Sequence, residues 1–270
     1  MYKKIKETAD FINSKIDIKP LLGLILGSGL GYIADEIEDP IIIDYKNIPN
    51  FPQSTVTGHA GKMVIGMLEG KPVIALKGRF HAYEGHDLKK LIFPIYVFKE
   101  LGVEGLILTN AAGGVNRTLK PGDIVANTDF INFTLKNPLI GPNLDELGPR
   151  FPTMASPIDR KWLEKIKEKA YEKKIKIEEG TYCWMMGPSY ESPAEIKMLE
   201  KFEGDLVGMS TMPEIITANH CGIRPVAFSA VTNMAAGILP QPLNHKEVME
   251  VAERIKHKFA KVVKIAIKTF

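Results

Sequence analysis

Arg79, His81 and Tyr83 occupy alternate positions of the string Gly78-Arg79-Phe80-His81-Ala82-Tyr83-Glu84-Gly85. On an extended backbone all three side chains point to one face. A guanidinium, an imidazole and a phenol gathered this way suit an anion with a polar neighbour. A surface charge ladder pairing Arg79 with Glu84 accounts for the same residues, and the string alone favours neither. Met209-Ser210-Thr211 is a second anion candidate, because it runs into a helix start whose N–H groups are unpaired. A plainer account exists there too. Thr211-Met212-Pro213-Glu214 has the form of a capping box, which would leave Ser210 without a role.

Two glutamates near residue 193 separate by the same reasoning. Glu195 is the third helical residue of a capping box, Ser192-Pro193-Ala194-Glu195, with proline at the first helical position. Glu191, in Gly187-Pro188-Ser189-Tyr190-Glu191, has no such structural explanation and is a candidate ligand contact. Asn233 follows an apolar run, and polar residues at strand ends line the clefts of α/β proteins. His245 is expected as the first residue of the last helix, where a solvated histidine is the ordinary case. No histidine pair stands at metal-binding spacing, so His81 and His86 are poor metal ligands.

These groups must be positioned by alternating strands and helices. Ile5, Phe11 and Ile12 mark an amphipathic first helix. Leu21 to Leu26 reads as a buried strand stopped by Gly27-Ser28-Gly29-Leu30-Gly31. Met63–Leu68 and Val73–Leu76 flank a turn and read as a hairpin. Asp87 caps a helix to Leu101, with Pro94 a candidate kink. Leu106 to Leu108 is another strand, closed by a turn at Thr109-Asn110-Ala111-Ala112-Gly113-Gly114, whose small residues allow close backbone approach. Further strands are expected at Ile124-Val125, Leu206-Val207 and Val226–Val231, and helices at 159–174 and from Asn244 to about Lys268. The segment 137–157 reads as a long loop, a length that often carries function. The pattern predicts an α/β fold, and with no linker or repeat the chain is expected to be a single domain spanning 1–270.

The glycine-rich turn after the first strand also invites a dinucleotide reading, with Asp44 as the ribose-binding acid. The third glycine comes one residue early, at Gly31, so the fingerprint is incomplete. Gly58-His59-Ala60-Gly61-Lys62 fails as a P-loop, because Val56 and Met63 occupy its first glycine and Ser/Thr positions.

Composition narrows the classes. The 270 residues carry 35 basic and 32 acidic side chains, a net charge of +3 with histidine neutral. That balance argues against a protein whose main task is gripping nucleic acid. Cys183 and Cys221 are far from CxxC spacing and read as core residues of a reducing compartment. No secretory signal or membrane-spanning run is apparent, and a cytoplasmic location is expected.

Seven strings in order resemble the purine nucleoside phosphorylases of the trimeric kind. They are Gly27 to Gly31, Gly58 to Lys62, Gly78 to Gly85, Thr109 to Gly114, Gly187 to Glu191, Val207 to Thr211, and Thr232-Asn233. The resemblance implies a mixed, twisted, partly barrel-like sheet flanked by helices. It also implies phosphorolysis of purine (2′-deoxy)ribonucleosides in purine salvage. Phosphate is then expected on Ser28, His59, Arg79, His81, the backbone of Ala111, and Ser210. Ribose is expected near Tyr83, Met209 and His245, and the purine at Tyr190, Glu191 and Asn233. Asn233, Glu191 and His81 are the implied catalytic residues. Phe151 matches an aromatic that such proteins insert into a neighbouring subunit's site, which implies a homotrimer.

Inorganic phosphate is expected as co-substrate, with no metal or organic cofactor. Tyr190 stands where some relatives carry phenylalanine and adds a hydroxyl beside the base. The related methylthioadenosine phosphorylases carry Asp in place of Asn233, so Asn233 favours inosine and guanosine. Methylthioadenosine-type specificity is the nearest alternative. A nicotinamide-dependent oxidoreductase, resting on Leu21 to Gly31 and Asp44, is a more distant one, and a non-catalytic nucleoside binder is a third.

Overall fold

A computed structural model describes residues 1–27, 29–53, 60–239 and 245–270, with the side chains of 245–248 excepted. In chain order the elements begin α1 (Tyr2–Asn13), β1 (Leu22–Leu26), β2 (Glu38–Asp44), β3 (Lys62–Leu68), β4 (Lys71–Lys77) and α2 (Leu88–Glu100). They continue β5 (Gly105–Gly114), β6 (Ile124–Asn132), α3 (Arg160–Glu172), β7 (Glu178–Trp184) and α4 (Pro193–Lys201). The last are β8 (Leu206–Gly208), α5 (Met212–His220), β9 (Arg224–Met234) and α6 (His245–Thr269).

The helices form for visible local reasons. Asp87 accepts from the Lys89 N–H at 2.9 Å at the start of α2, and the helix runs on through Pro94. Asp159 accepts from the Trp162 N–H at 3.0 Å and starts α3. Trp162, Ile166 and Ala170, four residues apart, and Leu163 beside them form its buried stripe, as one helix face requires. Trp162 also donates its indole N–H to the Ala266 carbonyl at 3.0 Å, fastening α3 to α6. The helices α1, α2 and α5 pack together, while α6 lies on β9.

Nine strands of the described residues join in one sheet, in the order β2-β3-β4-β1-β5-β8-β7-β6-β9, with β9 returning to β5. Five of them therefore close on themselves: β5, β8, β7, β6 and β9. The mixed, partly barrel-like sheet flanked by helices is as expected, and the β3–β4 hairpin is antiparallel as read.

Strand β5 is the hinge of this topology. Its residues 105–108 pair with β1, whereas Gly113 and Gly114 pair with β8. Along the same edge β1 and β8 diverge, and the ladder is open at residues 109–112. Open α/β sheets bind ligands where neighbouring strands part in this way. The turn expected at Thr109 to Gly114 is instead continuous strand, because β9 pairs with β5 over its whole length. Asn233 likewise lies inside β9 rather than after it.

Gly27 sits at the parting. A Cβ there would stand 2.6 Å from the Thr109 carbonyl oxygen and 2.9 Å from the Asn110 Cα. Only glycine lets the end of β1 come so near β5, and its N–H donates to Thr109 Oγ1 at 3.1 Å.

Candidate active site

A cleft of about 170 Å³ opens where β1 and β8 part along β5. Its walls include Asn110, Ala111 and Gly113 from β5, Gly208 at the end of β8 with Met209 and Ser210 after it, and Thr232 and Asn233 from β9. Arg79, His81, Tyr83, Tyr190 and Glu191 also line it. The sequence candidates from distant strings thus converge on one place.

Arg79 follows the end of β4 and turns inward, leaving 2% of its surface exposed. Its Nε lies 3.0 Å from Glu214 Oε1, and its Nη1 donates to the Thr109 carbonyl at 2.9 Å and to Ser210 Oγ at 3.1 Å. The charge-ladder reading is thereby overturned: Arg79 pairs with Glu214, and Glu84 serves His81. Glu84 Oε1 accepts the His81 backbone N–H at 2.7 Å and lies 3.2 Å from Nδ1. The backbone is also not extended here, since Ala82–Glu84 forms a 3-10 turn. Tyr83 reaches the cleft by a different route, stacking on His81 with ring centroids 4.7 Å apart. Burial pushes its phenol up to about 12.

Ser210 and Thr211 correct a second reading. Ser192 and Glu195 do form a reciprocal capping box on α4, but Thr211 makes no side-chain cap on α5. A cap needs an extended backbone, as Ser192 has at φ −73°, ψ 159°; Thr211 sits at φ 75°, ψ −46°. Its hydroxyl instead accepts from Asn110 Nδ2 at 2.9 Å. Glu214 is buried against Arg79 rather than folded back on the helix start. Ser210 donates its backbone N–H to the Tyr182 hydroxyl at 3.3 Å, and burial raises that phenol to about 12.

Asn233 is aimed by an irregularity. Ala112 pairs with Val231, but Gly113 pairs with Asn233, so Thr232 is an extra residue in β9. Such bulges re-aim side chains beside active sites. The Asn233 Oδ1 accepts from the Thr232 hydroxyl at 3.0 Å, and its Nδ2 donates to the Met234 carbonyl at 3.1 Å. Those bonds use one lone pair and one N–H of an amide that has two of each. Glu191 is partly buried, and its carboxyl is raised above the usual carboxylate range by burial, with the nearby Glu195 charge adding to the effect.

Ala111 and Met209 line the cleft as expected. Tyr190 does too, and remains 49% exposed. Phe151 is 87% exposed and is not among the residues lining the cleft of its own chain. Ser28 and His59 lie outside the described residues. His245 begins α6 as expected, and its side chain lies outside them as well. Cys183 and Cys221 are buried, and burial holds both thiols up at about 12, as inert core residues should be. Sequence reasoning missed Asn110, Glu214, Tyr182 and Thr232. Glu214 was hidden by its false capping box; Asn110 and Thr232 lay in the right strings but had no distinguishing signal; Tyr182 had none at all.

The model of the phosphorylase superfamily matches residues 21–268, a span that contains every one of these groups. The chain belongs to that superfamily, and within it to the purine nucleoside phosphorylases. It is 52% identical to purine nucleoside phosphorylase 1 of Bacillus subtilis, over 99% of this chain and 98% of that protein. It is 41% identical to the purine nucleoside phosphorylase of Mus musculus, over 99% of this chain and 95% of that one. Among solved structures, the Schistosoma mansoni purine nucleoside phosphorylase in complex with inosine matches with a TM-score of 0.94 at 38% identity, covering 99% of this chain and 96% of that one.

The phosphorylase fold also disposes of the nicotinamide reading. A dinucleotide fold places the strand after β1 beside it and parallel. Here β2 is separated from β1 by β3 and β4, so Asp44 is carried far along the sheet from the glycine-rich turn. Among the described residues no helix is long and apolar enough to cross a membrane.

Proposed function

We propose that this phosphorylase cleaves purine ribonucleosides and 2′-deoxyribonucleosides with inorganic phosphate, preferring 6-oxopurines. A phosphate oxygen bonds to C1′ as the bond from C1′ to N9 breaks, giving (deoxy)ribose 1-phosphate and the free base. The observation that carries the reading is the meeting, in one cleft, of a buried anion set with a carboxylate–amide pair. Arg79, His81, Ser210 and the Ala111 backbone hold phosphate, together with Ser28 and His59. Tyr83, Met209 and His245 flank the ribose.

The sugar passes through an oxocarbenium-like state, as in glycoside hydrolysis, and the phosphate both attacks it and stabilises its charge. The departing purine gathers negative charge, which a shared proton taken up at N7 and a hydrogen-bond donor at O6 stabilise. The remaining lone pair and N–H of Asn233 suit N7–H and O6. Glu191 accepts from N1–H, a hydrogen that 6-oxopurines have and adenine lacks, while Tyr190 packs on the base. That distinction, with Asn rather than Asp at position 233, favours inosine and guanosine over methylthioadenosine-type substrates. Positioning and electrostatics carry the chemistry, so the reaction as proposed uses no metal or organic cofactor.

The exposed Phe151 supports a homotrimer in which this ring enters a neighbouring copy's cleft. The continuous sheet supports a single domain over 1–270, and a cytoplasmic location fits a salvage enzyme. Incubation with inosine, with and without phosphate, tests the function. Hypoxanthine release that requires phosphate, and exceeds adenine release from adenosine, is expected. No phosphate-dependent release from any 6-oxopurine nucleoside refutes it.

A further inference from the structure

Thr211 has three properties that a helix start does not call for. It is a β-branched residue in the left-handed half of backbone space, at φ 75°, a true outlier for that side-chain class. The Met212 N–H donates to the Ser210 carbonyl at 2.8 Å, closing a strained three-residue turn centred on Thr211. It is fully buried, and its hydroxyl is engaged on both sides. Asn110 Nδ2 donates to it at 2.9 Å, and Ser210 Oγ lies 3.2 Å away. Strain of this kind persists where the surroundings over-determine it, and it clusters at functional sites.

The direction of these bonds gives the strain a purpose. Thr211 Oγ1 accepts from Asn110, which has only hydrogens to offer there, so the threonine's own hydrogen is available to Ser210. Ser210 Oγ also accepts from Arg79 Nη1 at 3.1 Å. A serine oxygen has two acceptor lone pairs and one hydrogen. With one lone pair on Arg79 and the other on Thr211, its hydrogen is directed away from both, as a donor into the cleft. A hydroxyl fixed as a donor recognises an anion; a freely rotating one must first be ordered. We propose that Thr211, held by Asn110, is a positioning residue that fixes the Ser210 hydroxyl as a donor to the attacking phosphate. This rests on the phosphorolysis reading above.

The test compares Thr211→Val, Thr211→Gly and Thr211→Ser for inosine turnover at varied phosphate, and for the rise in melting temperature on adding phosphate. Val keeps the shape without the hydroxyl, Gly relieves the backbone, and Ser keeps the hydroxyl. Val and Gly should each lose roughly 10-fold or more in kcat/KM for phosphate, the scale of a hydrogen bond to a charged group. Ser should stay within about threefold of the parent, on the same scale. The loss should not follow the melting temperatures of the unliganded variants, and the phosphate-induced rise should shrink in Val and Gly. In a Ser210→Ala background, Thr211→Val should cost little more, because the two act as one unit. Full phosphate kcat/KM in Val or Gly, a Ser variant as impaired as Val, or additive losses in the double variant overturns the proposal. If the parent protein itself releases no base with phosphate, the phosphorolysis reading fails instead. The melting shifts then still report whether Thr211 orders Ser210 toward a bound anion.

Discussion

Replacing Glu214 by glutamine tests whether the anion site is held together before phosphate arrives. Glu214 and Arg79 are 4% and 2% exposed, with Oε1 and Nε 3.0 Å apart. Removing one partner of a buried ion pair costs about 3–5 kcal/mol, because the other charge is left without its counter-charge. Unfolding entropy of about 2.1 cal/mol/K per residue, over 270 residues, gives roughly 0.57 kcal/mol/K. The unliganded variant should therefore melt about 5–9 °C lower than the parent.

Phosphate should reverse part of that loss. Bound at a hundred times its dissociation constant, a ligand stabilises by about 2.7 kcal/mol, or roughly 5 °C at this chain length. In the variant the buried guanidinium has lost the Glu214 counter-charge, and the anion can take that place. Each tenfold tightening that follows adds about 1.4 kcal/mol, or a further 2–3 °C at a fixed phosphate concentration. Turnover should nevertheless fall by roughly 10–100-fold, because a guanidinium that is bound but misaimed forfeits orientation. Calorimetry at one scan rate, over a phosphate series, reads all but the last. An unliganded melting temperature within about 1 °C of the parent's, with an equal phosphate shift, refutes the argument that Glu214 holds Arg79.

Three further outcomes follow from the same geometry. Asn233→Asp should lower kcat for inosine at least roughly 10-fold while moving the phosphate KM little, since a second carboxylate repels the charge gathering on the purine; equal losses in both would show the residue is misassigned. Glu191 accepts from N1–H most strongly when ionised, and burial, helped by Glu195, raises its carboxyl. Activity on inosine should thus fail on the acid side at a pH above the ordinary carboxylate range, and Glu195→Gln should move that limb to lower pH; a limb unmoved in Glu195→Gln and still present in Glu191→Gln rules Glu191 out. His220, 2% exposed, bridges Tyr96 and Asn143 at 3.1 Å each, and burial lowers its pKa below the ordinary 6.5. The unfolded chain then binds the proton more tightly, so this contribution is full above about pH 7 and is lost as the pH falls below about 6.5. The drop in melting temperature from pH 7.5 to 5.5 should be smaller in His220→Gln than in the parent, and equal drops would exclude His220 as the cause.

What the sequence made legible, and what it hid, divides along a physical line. Alternating apolar runs and caps marked the helices and most strands, because those signals are local and their causes act within a few residues. The true box at Ser192 and Glu195 and the false one at Thr211 and Glu214 share the same pattern. The difference is a backbone torsion, set by how tightly β8 turns into α5, and no pattern of residue types encodes that. The turn read at Thr109 to Gly114 failed for a related reason. Small residues permit a turn, but they equally permit β9 to run alongside β5, and the long-range pairing decided. The same pairing, with its bulge at Thr232, turned Asn233 from a residue beyond a strand into one aimed from within it.

Composition was silent on the ligand, and the local charges show why. A net +3 says nothing of a buried guanidinium whose charge is already matched by Glu214. A site that keeps Arg79 neutralised until phosphate binds leaves no trace in the overall balance. It can hold its geometry when empty, and it requires an acid close by in space, however far in sequence. The acid 135 positions away, Glu214 opposite Arg79, meets that requirement. The helix-capping pattern that disguised it is the strongest local reason a reader of the sequence would pass over it.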